Sequence, residues 1–181
     1  MKRKIINELT LGRGFTLIEL VIYAALIMVV SGVIVAFVIQ IINVTETSRR
    51  GRESLDNAKR SVDLISQEIR HATGVYIPTV VAGANPGQLS LETSRDIPTD
   101  EESTYVDIYV DDERLFIKRE GQSELIVTSQ KVIVTELIFT ILQDSNQRQS
   151  VRTQITVRYV DPISGPTNDV SLVSTVELRS F

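Results

Sequence analysis

The hydrophobic pattern of the chain begins with one long apolar run. No residue from Leu20 through Thr45 is charged, and leucine, isoleucine, valine and alanine dominate the segment. A helix needs about 20 apolar residues to cross a bilayer. The run therefore predicts a membrane span over about residues 20–43.

A second helical pattern follows the apolar run without an obvious break. Its apolar residues recur at steps of three and four, which draws one stripe along a helix: Leu55, Ala58, Val62, Ile65, Ile69 and Ala72. Charged residues, including Glu68, lie between the stripe positions. Gly74 predicts the C-terminal stop, and Pro78 lies beyond it. The two patterns together predict one long helix that ends near Thr73, so that residues 15–73 form the helical part of the chain.

The helical period is lost from about residue 80 onward. Short runs rich in valine, isoleucine, threonine and aromatic residues alternate with turn residues, which is typical of antiparallel strands. The predicted strands cover residues 89–92, 105–110, 114–119, 124–128, 131–142, 151–159 and 170–181. Loops are predicted at 82–87, 96–103, 143–149 and 161–166. The predicted fold class is α+β: a long N-terminal helix packed on an antiparallel sheet, with a β-rich domain over residues 74–181.

The start of the apolar run carries an unusual motif, Gly14-Phe15-Thr16-Leu17-Ile18-Glu19-Leu20. An ionisable residue at the edge of a membrane span is costly, so Glu19 predicts a functional site. Upstream lie Lys2, Arg3, Lys4 and Arg13, which favour a cytoplasmic location for the N-terminus. A basic cluster at residues 49–52 follows the span, so charge alone leaves the orientation open. A secretory signal places its cleavage site after the apolar core. Here the Gly14–Phe15 junction precedes the core, so a cut there leaves the core in the mature chain.

This motif resembles the class III signal of type IV pilins and pseudopilins. The resemblance implies that residues 1–14 are a leader, that a prepilin peptidase cuts between Gly14 and Phe15, and that the new amine of Phe15 is methylated. It also implies that Glu19 pairs with the N-terminal amine of a neighbouring subunit. Three roles are open to Glu19 from the residues alone: a carboxylate that snorkels to the interface, a protonated buried carboxyl, or a salt-bridge partner.

The resemblance implies a cellular setting and partners as well. The precursor is expected in the cytoplasmic (inner) membrane with a single pass, its N-terminus cytoplasmic and its C-terminal domain exported. Its expected partners are other pilin or pseudopilin subunits, the prepilin peptidase, the inner-membrane assembly platform and, before assembly, membrane lipid. The mature subunit is then expected in a cell-surface or periplasmic filament.

Weaker patterns suggest which kind of subunit this is. The helix end at residues 67–75, the hairpin closing on residues 115–119 and the arginine-containing strand at 151–159 resemble the minor pilins and pseudopilins of the W and J classes and the competence minor pilin of the F class. We therefore expect a structural subunit of a type IV pilus-like filament. The alternatives are a pseudopilin of a type II secretion system and an uncleaved bitopic membrane protein with an exported binding domain.

The composition of the chain excludes several kinds of chemistry and disfavours one class of partner. The chain has no cysteine, which excludes disulfides, thiol catalysis and cysteine-ligated metals. The formal net charge is −4; residues 1–14 contribute +3, so the remainder carries −7 and disfavours nucleic acid as a direct partner. The single histidine, His71, predicts a helix-end contact rather than a metal site. The acidic run Asp111-Asp112-Glu113 is better suited to a solvated turn than to calcium. We expect no enzyme and no cofactor.

Overall fold

A computed structural model describes residues 15–95, 97, 103–144, 148–160 and 169–179. The predicted leader with Gly14, most of the loop at 96–103, the tip of the loop at 143–149 and the loop at 161–166 lie outside the described residues. The chain divides into two compact units, with the boundary between Glu46 and Thr47. Each unit is described by itself below.

The long helix is confirmed and extends over Leu17–His71 (α1). Its end differs from the prediction, because the strand β1 (Ala72–Val75) begins immediately after it and contains Gly74. Gly74 therefore does not stop the helix. It lies where β1 changes register against its neighbour, at a β-bulge between Ala72 and Gly74.

The part of α1 in the second unit buries the predicted stripe, but that face is more polar than predicted. Ala58, Ile65, Ile69 and Ala72 are fully buried, whereas Leu55 and Val62 are only partly buried. Polar side chains share the buried face: Ser54, Asn57, Ser61, Ser66 and Glu68. Glu68, which lies between the stripe positions in the sequence, is only 9% exposed.

Five strands form the first sheet, in the order in which they occur along the chain. After β1 come β2 (Leu89–Thr93), β3 (Thr104–Asp111), β4 (Arg114–Arg119) and β5 (Leu125–Ile126). All neighbours are antiparallel. A short 3₁₀ helix at Ile77–Thr79 follows β1. The strands at 89–92, 105–110 and 114–119 are confirmed within one residue at each end, whereas β5 has only two residues of the strand predicted at 124–128.

Three strands form a second sheet, where the sequence predicted only one sheet in all. These are β6 (Val132–Gln143), β7 (Gln149–Tyr159) and β8 (Val170–Glu177), paired antiparallel in chain order. The final strand ends four residues before the predicted position.

Contacts from the first half of the β region cover the other edge of β6. The amides of Gly83 and Gly87 donate to the carbonyls of Phe139 and Leu137 at 2.8 and 2.7 Å. The amide of Val134 donates to the carbonyl of Glu113 at 2.8 Å. These bonds satisfy backbone groups that an uncovered edge strand leaves to solvent, and they connect the two sheets.

One hydrophobic core unites the second unit. Its largest fully buried side chains come from α1, from the first sheet and from the second sheet: Ile65, Ile69, Leu89, Leu91, Ile108, Leu115, Ile117, Leu137, Phe139 and Ile155. The α+β arrangement predicted from the hydrophobic pattern is therefore confirmed, with the helix packed on antiparallel sheets.

Candidate functional site at the start of the helix

The first turn of α1 is closed by a threonine that precedes it. The amide of Glu19 donates to Oγ1 of Thr16 at 3.3 Å, and the amide of Leu20 donates to the carbonyl of Thr16 at 3.2 Å. Thr16 is therefore the N-cap, which satisfies an amide that the helix itself leaves without an acceptor. The sequence signal for this cap is Thr16-x-x-Glu19, the spacing of a capping box. The predicted helix start depends on the apolar run and not on this signal.

Glu19 lies in the first turn and is half-buried. An acidic side chain there interacts favourably with the partial positive charge of the helix N-terminus. This local role explains why the position tolerates a carboxylate. It leaves open why a charged group occurs at the head of a run that is otherwise uncharged as far as Thr45.

Phe15 and Tyr23 lie on either side of Glu19 in the sequence, at intervals of four residues. Their rings meet edge to face, with centroids 5.9 Å apart and an interplanar angle of 62°. Both side chains are otherwise open, at 72% and 50% exposure. Gly14, the other half of the predicted cleavage junction, lies outside the described residues.

The surface of α1 in the first unit is apolar and unburied. Every large hydrophobic side chain from Phe15 to Val44 is exposed. In water such a surface is strongly unfavourable, since about 25 cal/mol is lost per Å² of apolar area left wet. The helix is long and apolar enough to cross a membrane, which agrees with a single-pass protein.

In the described residues of the second unit, a largely buried ion pair joins the helix to a strand. Nη2 of Arg119 on β4 donates to Oε1 of Glu68 on α1. The side chain of Glu68 is 10% exposed and that of Arg119 is 35% exposed. The pair therefore joins the helix to the first sheet at a point where a lone carboxylate would be costly.

An outward-facing cluster on the first sheet shifts the pKa of two groups. The hydroxyl of Tyr109 donates to Glu124, and Nζ of Lys118 lies 3.3 Å from Oε1 of the same carboxylate. The hydrogen bond from Tyr109, together with Lys118, lowers the pKa of Glu124. Burial and the bond to Glu124 raise the pKa of Tyr109. The cluster is a local network on an exposed face, next to the stacked ring of Phe116.

The residues considered for metal binding occupy an ordinary hairpin turn and a helix end. Asp112 and Glu113 form the tip of the β3–β4 hairpin with φ values of 45° and 59°, as a two-residue turn of this kind requires. His71 is an exposed residue in the last turn of α1, and its carbonyl accepts a hydrogen bond from Thr93. Within the part of the chain that the structure describes, no three His, Asp or Glu residues are grouped so that they could hold a metal ion.

Comparison of the chain with protein-family models, with curated proteins and with solved structures finds no match.

Proposed function

We propose that this chain is a prepilin, a minor pilin or pseudopilin that becomes a structural subunit of a type IV pilus-like filament. The observation that carries the proposal is the junction Gly14–Phe15, followed at once by a capped helix with Glu19 in its first turn and no further charge until Glu46. The precursor is held in the membrane by this helix. It is cut after Gly14 and methylated at Phe15.

The apolar surface of α1 supports this assembly route. A helix of this kind is stable in lipid, and its apolar surface also suits packing against the apolar helices of other subunits. Small residues permit close helix approach, and Ala24, Ala25, Ser31, Gly32 and Ala36 occur within the run. Moving the helix from lipid into a filament therefore exchanges one apolar environment for another, without exposing its surface to water.

Glu19 supplies a polar interaction between subunits that apolar helix packing does not provide. Cleavage creates an amine at Phe15, and no basic residue lies between it and Arg49 to compete for the carboxylate. An ion pair formed between the amine of one subunit and Glu19 of the next fixes their axial register. Loss of one partner of a buried pair costs about 3–5 kcal/mol, so a subunit without the carboxylate is disfavoured in the filament.

The first prediction tests this role with Glu19→Ala, and Glu46→Ala serves as the matched control just beyond the apolar run. We expect both variants to be cleaved and methylated. In the sheared surface or periplasmic filament fraction, Glu19→Ala is expected to fall at least about tenfold, since about 1.4 kcal/mol already corresponds to that factor. Glu46→Ala should remain at the wild-type amount.

Quantitative mass spectrometry of the membrane and filament fractions makes the measurement. Equal incorporation of the Glu19→Ala and Glu46→Ala proteins into filaments would show that the carboxylate has no part in assembly. Lack of cleavage in the Glu19→Ala protein would place the residue in peptidase recognition instead. Secretion and DNA-uptake phenotypes of a deletion strain then assign the filament to its system.

A further inference from the structure

Glu19 differs from its neighbours in the first unit in how far its side chain is exposed. Every other residue from position 15 to position 49 is exposed, whereas Glu19 is half-buried. Its amide is bound by Thr16, and no group of the described residues donates to its carboxylate. The carboxylate is therefore partly covered and still available to a ligand.

Two aromatic rings lie on either side of Glu19 along the helix. Phe15 precedes it by four residues and Tyr23 follows it by four, and residues at this spacing are neighbours on one helix face. Phe15 lies just before α1, and its ring meets that of Tyr23 edge to face, with centroids 5.9 Å apart. The contact spans the level of the intervening glutamate and covers one side of its side chain.

A single ring elsewhere on the same helix does not have this effect. Val33 and Ile41 each lie four residues from the ring of Phe37, and they remain 65% and 48% exposed. The partial burial of Glu19 therefore follows from the pairing of two rings at the start of the helix.

A carboxylate beside two aromatic rings is suited to a methylated ammonium group. The carboxylate attracts the positive charge, and the face of an aromatic ring attracts the same charge through its quadrupole. The apolar surface of the rings also accepts methyl groups, which is why aromatic residues recognise methylated amines in other proteins. Both attractions are stronger where water is excluded, as at the start of a membrane span.

We propose that Phe15, Glu19 and Tyr23 together bind the N-methylated ammonium group at the N-terminus of a neighbouring subunit. This inference rests on the proposed function, because that ammonium exists only after cleavage between Gly14 and Phe15. Glu19 supplies the opposite charge. The two rings supply the preference for a methylated over an unmethylated amine, and Tyr23 is the residue that completes this preference.

The direction of such a contact agrees with the membrane arrangement of the precursor. Single-pass chains of one topology have parallel helices, and the contact joins residue 15 of one helix to residues 19–23 of the next. Neighbouring helices are then offset along their axes by about 6–12 Å, at 1.5 Å per residue. A head-to-tail contact with an axial offset does not close on two copies, so it extends into a filament.

Three variants of the full chain test the part played by the second ring. Tyr23→Leu removes the ring and keeps an apolar residue that favours a helix, and Tyr23→Phe keeps the ring. Phe37→Leu is the matched control, since it removes a ring from the same helix away from Glu19. For each variant, quantitative mass spectrometry gives the amount in the sheared filament fraction relative to cleaved protein in the membrane.

We expect Tyr23→Leu to lower this ratio by about fivefold to thirtyfold, the range between a partly and a fully desolvated cation–π contact. Tyr23→Phe and Phe37→Leu should remain within about twofold of the wild type, because both keep the Tyr23-type ring beside the carboxylate. A ratio for Tyr23→Leu equal to that for Phe37→Leu would overturn the proposal.

The same variants, produced with a peptidase variant that cleaves without methylating, test the ligand. Loss of the methyl group should lower the wild-type ratio by about fourfold, the contribution of one buried methyl group. It should leave the Tyr23→Leu ratio unchanged, because non-additive effects mark groups in direct contact. Equal losses in the two proteins would assign Tyr23 to helix packing or to a lipid headgroup, and would overturn the proposal.

The wild-type chain separates failure of this inference from failure of the proposed function. A wild-type chain that is not cleaved, or that is absent from the sheared fraction, would contradict the proposed function and this site with it. A wild-type chain that is cleaved and assembled, with no selective effect of Tyr23→Leu, would contradict the aromatic site alone.

Discussion

At the scale of single residues, the contact between Glu68 and Arg119 is the one place in the described second unit where a largely buried charge holds the helix to the sheet. Burying a carboxylate is tolerable only when a partner compensates the lost hydration. Arg119 is the partner, and its partial exposure of 35% keeps the cost of its own desolvation low. The pair thus ties the position of α1 to β4.

The second prediction follows from the difference in burial between Glu68 and Arg119. Arg119→Met keeps the aliphatic stem but leaves Glu68 alone, so we expect the free energy of unfolding to fall by about 2 kcal/mol, below the 3–5 kcal/mol of fully buried pairs. Adding Glu68→Gln to Arg119→Met should restore part of the loss. Urea unfolding of the full chain in micelles, monitored by the circular dichroism of its tyrosines, measures the free energy of unfolding. A wild-type stability for Arg119→Met would contradict the role given to the pair.

The third prediction concerns Tyr109 and Glu124, and its signs follow from the two pKa shifts. The lowered pKa of Glu124 means that the bond stabilises the folded chain above the ordinary value of 4.5, and this contribution is lost as the pH falls through the lowered pKa. The raised pKa of Tyr109 means that its contribution is present below 10.0 and is lost as the pH rises through the raised value. Both effects are small, because Glu124 is exposed and Tyr109 is only half-buried.

Tyr109→Phe removes the donor and should move the pKa of Glu124 back up toward its ordinary value, with Lys118 still lowering it in part. Carbon-13 NMR titration of the Glu124 carboxyl measures the change. Tyr105→Phe is the control, since its ring contacts Tyr76 instead. An unchanged titration of Glu124 in the Tyr109→Phe protein would show that the hydrogen bond does not cause the shift.

The sequence alone draws attention to a residue whose charge differs from that of its neighbours in the chain. It does not show which polar residues are buried or what they contact. Glu19 stands out because it is alone in an apolar run. The partners of the buried polar residues could not be predicted in this way: Asn57 accepts the amide of Ser129 at 2.9 Å across the tertiary structure, and Glu68 meets Arg119. Helical periodicity identifies a face, but it cannot identify a partner 51 residues away.

At the scale of elements, the loop at 82–87 is bonded along the edge of β6 that faces away from β7. Asn85 accepts the amide of Leu137 at 2.9 Å and donates to the carbonyl of Thr135 at 3.2 Å. These bonds lie at and just past the irregularity between Val134 and Glu136, where β6 shifts register against β7. The loop at 82–87 thus acts as a cover for an edge strand.

The fourth prediction tests this cover at Gly87. A Cβ there would lie 3.0 Å from the carbonyl oxygen of Leu137 and 3.2 Å from that of Ala84. Gly87→Ala is therefore expected to push the loop from β6 and to lower the free energy of unfolding by about 1–3 kcal/mol, typical of overpacking. In the control Gly74→Ala, the new Cβ meets only a side-chain atom of Glu92 at 3.7 Å, and we expect a small effect.

Thermal unfolding of the two full-length variants makes that comparison. Equal melting temperatures would mean that the loop can move away from β6 without loss of stability and that it does not anchor this strand. A selective loss in the Gly87→Ala protein would support the close approach of the loop to the strand.

The order of the elements could be read from the sequence, but their grouping could not. Alternating apolar and polar residues predicted β7, and the acidic turn between two β-rich runs predicted the β3–β4 hairpin; all three strands have one more deeply buried face. The strand β1 was missed, since its four residues continue the helical stripe through Ala72. Backbone bonds that join Gly83, Gly87 and Glu113 to the edge of β6 have no local pattern in the sequence.

At the scale of the whole molecule, the chain consists of two units with opposite solvent preferences. The first exposes its apolar side chains along α1, whereas the second buries its apolar side chains in a core of its own. The first unit is stable in lipid or against other apolar helices, and the second unit is stable in water. A filament subunit needs both properties, and so does an uncleaved membrane anchor. The fate of the Gly14–Phe15 bond separates these two possibilities.

The measurement that tests this account most directly is the mass of the mature N-terminal peptide, taken from membrane and sheared fractions of cells with and without prepilin peptidase. We predict a start at methylated Phe15 that depends on the peptidase and appears in the sheared fraction. An intact N-terminus at Met1 in both strains would contradict the account, and the chain would then be a bitopic membrane protein.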